Sequence, residues 1–563
     1  MNSVDHMDYM SPRRPRGRTH ALLLAAGCLG GVLVVAGTHR FGPAVTPDSA
    51  TYIAAAHSLL AGEGYLDYDA SPYAEKPPLY PTILAAGRVA GTDPMETVPV
   101  LHAIVFGLII FFAGALLFSR LRGGAFAWIG LAAVVLSWPL LQVAVKVWSE
   151  LLFILLAILF IAYAPAVLSR PSWPRVILFA LPAALATLQR YAGAALVPAG
   201  AVMILFFMTR ATVRRRWRYA TGFCLMAVGP VVPWLIRNYL ATSTFTGDRT
   251  VSSELLAKES ASHLVETLST WIAPPLLPVW VGYLFGIALL AIVVLGFIGH
   301  PRRERVRAHL LDHMMMAFVV AYTALVLFSS MIESAAMPDN RILSPLYVPL
   351  VYLVVVGLSR ATARRSPHAR PTGPLRRTVV VACLLWLLYP AAIVGMYVSV
   401  RASYDTNVWH GSALAQWLNE KPPEGRLYSN QPWVAYLSSG KHTRPLSGSD
   451  LEGCDAHHAG TQAPRCELAW FYGADRGQEH ASRFLYDFFT LVTAGRGPVS
   501  AKGLTGAVLD FMRRSGLASR ESPSEEFLDP APPSLPAEVR ADVIDSFMDG
   551  VLYSLTTELS TDP

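Results

Sequence analysis

Long apolar runs recur through the first 400 residues, separated by short polar loops. We read eleven, at about 21–38, 100–118, 124–145, 151–169, 176–189, 192–209, 219–236, 279–299, 310–331, 342–359 and 378–399. A helix that crosses a bilayer core takes about 20 apolar residues. In hydrocarbon it must satisfy its own backbone N–H and C=O groups, which leaves helices and closed barrels as the spanning structures. The pattern predicts an α-helical polytopic membrane protein with about eleven transmembrane helices. Composition agrees, with 53% hydrophobic and 15% charged residues, against about 25% charged in soluble proteins. The run Ala21–Gly37 is long for the apolar core of a signal peptide, and further spans follow it, so it reads as a first membrane helix. The fifth run is short and contains Pro182, and Gln189-Arg190-Tyr191 after it reads as a turn at a membrane face.

Charge divides the chain in two. From Arg401 onward there are 14 Lys and Arg against 21 Asp and Glu, a net of −7, so the overall +7 leaves +14 for residues 1–400. The basic residues lie in short loops: Arg120 and Arg122, Arg170 and Arg175, and the stretches 210–218, 301–307 and 360–377. Such placement marks cytoplasmic loops and argues against a nucleic-acid surface. These loops fall on the side of the basic lead 1–20, and the loops 39–99, 146–150, 190–191, 237–278 and 332–341 fall on the other. An odd span count then puts the N-terminus in the cytoplasm and residues 400–563 outside the membrane. The expected parts are a basic cytoplasmic lead (1–20), a transmembrane domain (21–399) and an extracytoplasmic α/β domain (400–563).

Within that last part, 426–430 and 467–473 read as strands, "QPWVAYLSSGK" and "SRFLYDFFTLVTAG" as helices, and 538–558 as a final amphipathic helix. Cys454 and Cys466 are expected to form a disulfide if the region faces an oxidising compartment. A metal site with His457 and His458 is the rival, without a four-ligand spacing to support it. Cys28, Cys224 and Cys383 lie in apolar runs and read as packing residues. There is no Walker loop and no Gly-rich dinucleotide unit.

The polar loop 39–99 is the exception to this apolar texture. "DSATYIAAAHSLLAGEG" has helical spacing and ends at Gly62 and Gly64, predicting a helix along the membrane surface. Asp48 stands at its start, where a carboxylate either caps the helix or works as a base. "YAEKPPLYP" then presents Glu75 and Lys76 ahead of a rigid Pro pair. There Lys76 is placed either to neutralise a phosphate or to pair with Glu75 in solvent.

The order Asp48-Ser-x-x-Tyr52, "LLAGEGY" and "EKPPLYP" resembles the first outer loop of membrane glycosyltransferases of the C fold (GT-C). These include the protein O-mannosyltransferases and the bacterial transferases that move aminoarabinose to lipid A. "VWSELLF" puts Glu150 at the outer end of the fourth span, where that family keeps a second acid. "LQRYAGAALVP", "PWLIRNY" and "PDNRILSPLYVPL" resemble later landmarks, and "RLYSNQPWVAYLSSGK" resembles the start of the outer C-terminal domain. Asp48-Ser49 replaces the paired acid of the O-mannosyltransferases, no trefoil domain is visible, and fewer spans are read than in the aminoarabinose transferases.

The resemblance implies an inverting transfer of a hexosyl or pentosyl group from a polyprenyl-phosphate donor to a lipid, glycan or protein acceptor of the envelope, at the outer face. It implies Asp48 as general base with Glu150 assisting, and Lys76, Arg237 and Arg341 on the donor phosphate. Tyr52, Glu75 and Tyr80 would contact substrate, with Tyr73 and the pair Asp248 and Arg249 as further contacts. A divalent cation (Mg or Mn) on Asp48, Glu75 and Glu150 is an open expectation. Arg237 and Arg341 also fit simple snorkelling at span ends. The rival classes are a multi-pass transporter of an envelope precursor and a non-catalytic envelope scaffold. A transporter would keep its ionisable groups inside the spans, and a scaffold would not need Asp48 or Lys76.

Overall fold

The computed structural model describes residues 17–39, 42–247, 257–274, 279–298, 306–332, 337–362, 373–398, 412–423, 425–445, 466–471, 539–547 and 550–557. The first half runs through α1 (Gly17–Thr38), α2 (Pro47–Leu60), α3 (Leu79–Val89), α4 (Pro94–Leu121), α5 (Ala125–Val135), α6 (Trp138–Ala144), α7 (Glu150–Ser169), α8 (Trp173–Gln189) and α9 (Leu196–Phe207). It continues through α10 (Val213–Val228), α11 (Val232–Thr242), α12 (Ala257–Ile272), α13 (Val279–Ile298), α14 (Val306–Ile332), α15 (Asn340–Leu343), α16 (Tyr347–Ala361), α17 (Pro374–Trp386) and α18 (Leu388–Met396).

Each of the eleven apolar runs lies mainly on helix among the described residues. Among the described residues, eight helical stretches are long and apolar enough to cross a bilayer, and Trp173–Gln189, Tyr191–Phe207 and Trp280–Ala291 are shorter apolar helices. The chain is thus a mostly helical, multi-pass membrane protein. Prolines divide several spans: α5 stops ahead of Pro139, and α10 gives way to α11 at Gly229-Pro230. α1 is an integral part of the bundle. A Cβ on Gly27 would lie 2.7 Å from the Gly107 carbonyl oxygen, so the backbones of α1 and α4 touch as small residues allow in membranes.

One end of the bundle is tied by a buried ion cluster. Asp312 on α14 accepts from Arg120 at the end of α4 (3.0 Å), Arg360 at the end of α16 (2.7 Å) and the Tyr352 hydroxyl (2.7 Å). Asp312 is fully buried within its span and is neutralised at its own site.

The opposite end carries the polar loop. α2 forms where the sequence predicts it, and Gly62 (φ 79°) and Gly64 (φ 83°) turn the chain out of it. Its cap is Thr46, which exchanges hydrogen bonds with Ser49 in a capping box. The capping reading of Asp48 is therefore corrected: the cap is filled two residues earlier. α2 and α3 pack with Tyr52, Tyr73, Tyr80, Trp234 and Tyr436 in a second apolar cluster.

Toward the C-terminus, β1 (Arg426–Ser429), β2 (Thr443–Pro445), β3 (Cys466–Phe471), β4 (Val539–Phe547) and β5 (Gly550–Thr557) form one mixed sheet in the order β2-β1-β3-β5-β4. β1 runs parallel to β2 and β3, and β5 runs antiparallel to β3 and β4. Helices Ala413–Glu420 and Pro432–Ser439 pack on it through Leu414, Leu418, Val434 and Ala435. The expected helix at 538–558 is instead the pair β4 and β5. Val539, Ala541 and Val543 recur at the strand period of two, and β-branched residues favour the extended chain. "SRFLYDFFTLVTAG", Cys454, His457, His458, Asp248 and Arg249 lie outside the described residues, so the disulfide and metal readings there rest on sequence alone.

Candidate active site

Five side chains from four distant segments meet at the start of α2. Asp48, in its first turn, pairs with Lys76 at 2.8 Å and with Arg341. Glu150, the first residue of α7, pairs with Arg341 at 2.5 Å and with Arg190. Both carboxylates stand at helix N-termini, where the dipole favours negative charge. Lys76 projects from the turn that Pro77 and Pro78 stiffen, Arg190 follows α8, and Arg341 lies in α15, whose N-cap is Asp339. Glu75 is more exposed and 3.8 Å from Lys76. The inner cluster thus holds three cations against two carboxylates.

The backbone beneath it is fixed by pairing. Ala44 N–H donates to the Val145 carbonyl (2.9 Å), and Val147 N–H donates to the Ala44 carbonyl (3.1 Å). Ser149 forms a hub between the segments. Its hydroxyl meets Tyr52 Oη at 2.8 Å and accepts from Arg190 at 3.1 Å, and its carbonyl accepts from Gln189 Nε2 at 2.9 Å. Trp148 donates from Nε1 to Thr46 Oγ1 at 2.8 Å, and the Arg341 guanidinium lies 4.3 Å from the centre of the Trp148 ring. The capping residue of α2 and one of the two cations that bind Asp48 are therefore held by one indole.

Burial alone would raise the Asp48 carboxyl, but the charges of Arg341 and Lys76 outweigh it and hold it well below the usual carboxylate range. Burial would lower Lys76, yet Asp48 raises it above its ordinary value. Asp48 keeps 29% of its side-chain surface open and Lys76 keeps 16%, while Glu150 is fully buried. Glu150 Oε2 has no hydrogen-bond partner among the described residues.

The overall course of the chain has a counterpart among solved structures. ArnT from Cupriavidus metallidurans in the apo state overlays with a TM-score of 0.54 at 14% identity, covering 95% of this chain and 97% of that one. The same protein bound to undecaprenyl phosphate overlays equally, at 0.54 and 13% identity, over 95% and 97%. The chain has the C-type membrane glycosyltransferase fold. A likeness at this identity shows the fold alone and leaves the activity and the substrate open. The mycobacterial arabinofuranosyltransferase AftD overlays at only 0.37, with 14% identity over 73% of this chain and 30% of that one, too little to weigh. No protein-family model matches the sequence, and a search of curated proteins found no significant match.

On this GT-C frame the structure brings together Asp48, Lys76, Glu150 and Arg341, with Glu75 at the edge. It places the other expected residues differently. Arg237 donates to the carbonyls of Tyr73 and, at 2.9 Å, Tyr65, and stacks 4.9 Å from the Trp234 ring, so it fastens the loop and does not join the cluster. Tyr52 and Tyr80 are buried and meet edge to face at 4.9 Å. Tyr80 donates its hydroxyl proton to His102 Nε2 at 3.0 Å when Nδ1–H of that ring donates to the Ala144 carbonyl. Tyr73 is buried as well and donates to the Pro77 carbonyl. These tyrosines form the floor under the charges and offer no open face for stacking on a sugar.

In the sequence Arg190 reads as part of a turn. Its pairing with Glu150 needs the tertiary approach of α8 to α7. Trp148 and Ser149 lay in "VWSELLF" beside Glu150, and only the carboxylate was singled out. As for a divalent cation, Asp48 and Glu150 turn oxygens toward cationic side chains, and no group of three or more His, Cys, Asp or Glu gathers among the described residues. The donor set does not fit such an ion.

Proposed function

We propose that this chain transfers a hexosyl or pentosyl group from a polyprenyl-phosphate sugar to a lipid, glycan or protein acceptor at the outer face of the membrane. The observation that carries this reading is the cluster of Lys76, Arg190 and Arg341 interleaved with Asp48 and Glu150, partly open, beside the ends of apolar helices. A phosphate on a prenyl chain needs both halves of that arrangement: fixed cations, and hydrocarbon next to them. The undecaprenyl phosphate bound to ArnT, which shares the fold, supports a lipid phosphate as the donor's carrier. Asp48 and Glu150 stand in the first turns of their helices, which favours a site at the membrane surface over a path through the spans.

In the proposed reaction an acceptor hydroxyl attacks the anomeric carbon as the carbon–oxygen bond to phosphate breaks. The phosphate keeps the electron pair and leaves as polyprenyl phosphate, its charge held by Lys76, Arg341 and Arg190. The hydroxyl proton passes to Asp48 as general base. A single displacement of this kind inverts the anomeric centre. Without donor, Asp48 is a weak base because two cations hold it. Donor phosphate draws Lys76 and Arg341 toward itself and restores the basicity of Asp48 when it is needed. Glu150 anchors both arginines from a fully buried position.

The test is transfer from radiolabelled polyprenyl-phosphate mannose, glucose and arabinose by purified protein in lipid. Wild type is expected to transfer from at least one of them. Asp48→Asn should lose about 10²–10⁴-fold in rate with its folding intact. Full transfer by Asp48→Asn would remove it as the base.

A further inference from the structure

Asp67 takes part in none of the ion pairs above, yet the fold lays it beside them. It opens a tight turn: its N–H donates to the Ser71 carbonyl at 2.8 Å, and its own carbonyl accepts from Ala70 N–H at 3.0 Å. Leu66 bridges Pro72 across this hairpin, and Ala70 at its tip adopts φ 67°, a left-handed conformation that costs a non-glycine residue free energy. The hairpin is fastened along α2. Leu66 N–H donates to Ser58 Oγ at 3.0 Å, and the Thr51 hydroxyl is within reach of the Asp67 carboxyl. Thr51 follows Asp48 by three residues, so their side chains share one face of the helix, with Cβ atoms about 5–6 Å apart. Asp67 is therefore one helical turn along from Asp48. It is half-buried, and one of its oxygens accepts the Tyr68 N–H at 2.6 Å.

The two carboxylates differ in charge environment. Asp48 is clamped by two cations, while Asp67 is in direct contact with neither. Burial pushes the Asp67 carboxyl up to about 6, and the Tyr68 amide and the more distant Lys76 only partly offset it. The charged and titratable groups around it are Lys76 from the turn before α3, Tyr68 and Asp69 in the hairpin, Tyr73 on its return, and Tyr436 from the Pro432–Ser439 helix. A second hydroxyl of the acceptor substrate can donate to a carboxylate that no cation has already taken, which leaves the attacking hydroxyl to Asp48.

We infer that ionised Asp67 is a positioning residue that accepts a hydrogen bond from the acceptor substrate and holds its attacking hydroxyl beside Asp48. The inference rests on the glycosyl-transfer reading. Asp67 forms no bond to the sugar, and the hydroxyl proton still passes to Asp48.

The test compares wild type, Asp67→Asn and Asp67→Glu in proteoliposomes supplied with graded amounts of washed cell envelope, which provides lipid, glycan and protein acceptors. Two readouts are taken: binding of undecaprenyl phosphate by tryptophan fluorescence, and the pH profile of transfer from the three labelled donors. Asp67→Asn keeps the shape and the bond from Tyr68. It should bind undecaprenyl phosphate as wild type does, yet transfer about tenfold or more slowly at neutral pH through a raised acceptor KM. The acid limb of wild type, near pH 6, should disappear in Asp67→Asn and persist in Asp67→Glu. An unchanged acceptor KM together with an unchanged acid limb in Asp67→Asn would overturn the inference while leaving the enzyme reading in place. Failure of wild type to bind undecaprenyl phosphate, or to transfer from any of the three donors, would overturn the enzyme reading and this inference with it.

Discussion

Asp48 and Lys76 depend on each other, and the consequence differs for stability and for binding. Lys76→Ala leaves Asp48 with Arg341 alone and removes a point charge from the phosphate position, so undecaprenyl phosphate affinity should fall at least tenfold, about 1.4 kcal/mol. A fluorescence titration checks this. The pH dependence separates Asp48 from Asp67. The folded protein holds Asp48 below its ordinary value of 3.8, so its contribution is present above about pH 4 and is lost as pH falls further. Asp48→Asn should therefore lower the thermal midpoint by the same amount throughout pH 5–8. The folded protein raises Asp67 from 3.8 to about 6, so it favours the protonated form. Its ionisation destabilises the fold as pH rises through 6, and that penalty vanishes below about pH 4. Asp67→Asn should then raise the midpoint at pH 8 and leave it unchanged at pH 4, in unfolding followed by intrinsic fluorescence in detergent. Equal shifts at both pH values would show that the Asp67 carboxyl is solvated like any surface acid.

At the scale of elements, two contacts hold helices that the sequence alone cannot pair. Asp312 binds α14 to the ends of α4 and α16. Asp312→Ala would leave Arg120 and Arg360 buried without their carboxylate, which costs about 3–5 kcal/mol, read as a lower thermal midpoint. Gly27→Leu would drive a side chain into the Gly107 carbonyl and part α1 from α4, with a fall of similar sign. The helices were legible because an apolar run of bilayer length has few alternatives. Their pairing was not, because it depends on glycines and single charges with no periodic signal. The helix α2 is legible from its spacing and glycine stop, but the sequence leaves Asp48 open as cap or base and does not single out Thr46, whose role depends on Ser49 and Trp148. β4 reads as helix because Val539, Val543, Ile544 and Phe547 also recur at the three- to four-residue spacing of a helical face. Its partner β5 and its neighbour β3 decide the matter. The site was legible where one short motif carried it, at Asp48, Glu75 and Lys76. Arg190 became part of it only when α8 reached α7.

Across the whole molecule, the described C-terminal residues and the polar loop lie on one side of the apolar bundle. Tyr436 meets His57 Nδ1 at 3.2 Å, Thr443 N–H donates to the Tyr68 carbonyl at 2.8 Å, and Trp433 and Leu437 pack on the tyrosine cluster of α2 and α3. These contacts place the sheet beside the site by a route independent of the charge rule. If the loop faces outward, the sheet must too, and the basic loops must face the cytoplasm. Single cysteines test this in a background where the five native cysteines are replaced by serine. Glu63→Cys in the loop and Lys421→Cys near the sheet should react with a membrane-impermeant maleimide in intact cells. Arg214→Cys, exposed at the start of α10, should react only after the membrane is opened. Labelling of Lys421→Cys with Glu63→Cys protected would break the docking of the sheet on the loop. Labelling of Arg214→Cys in intact cells, with the other two protected, would invert the protein and put the proposed site in the cytoplasm. A nucleotide sugar would then be within reach as donor, and the reason for a lipid-linked one would fall away.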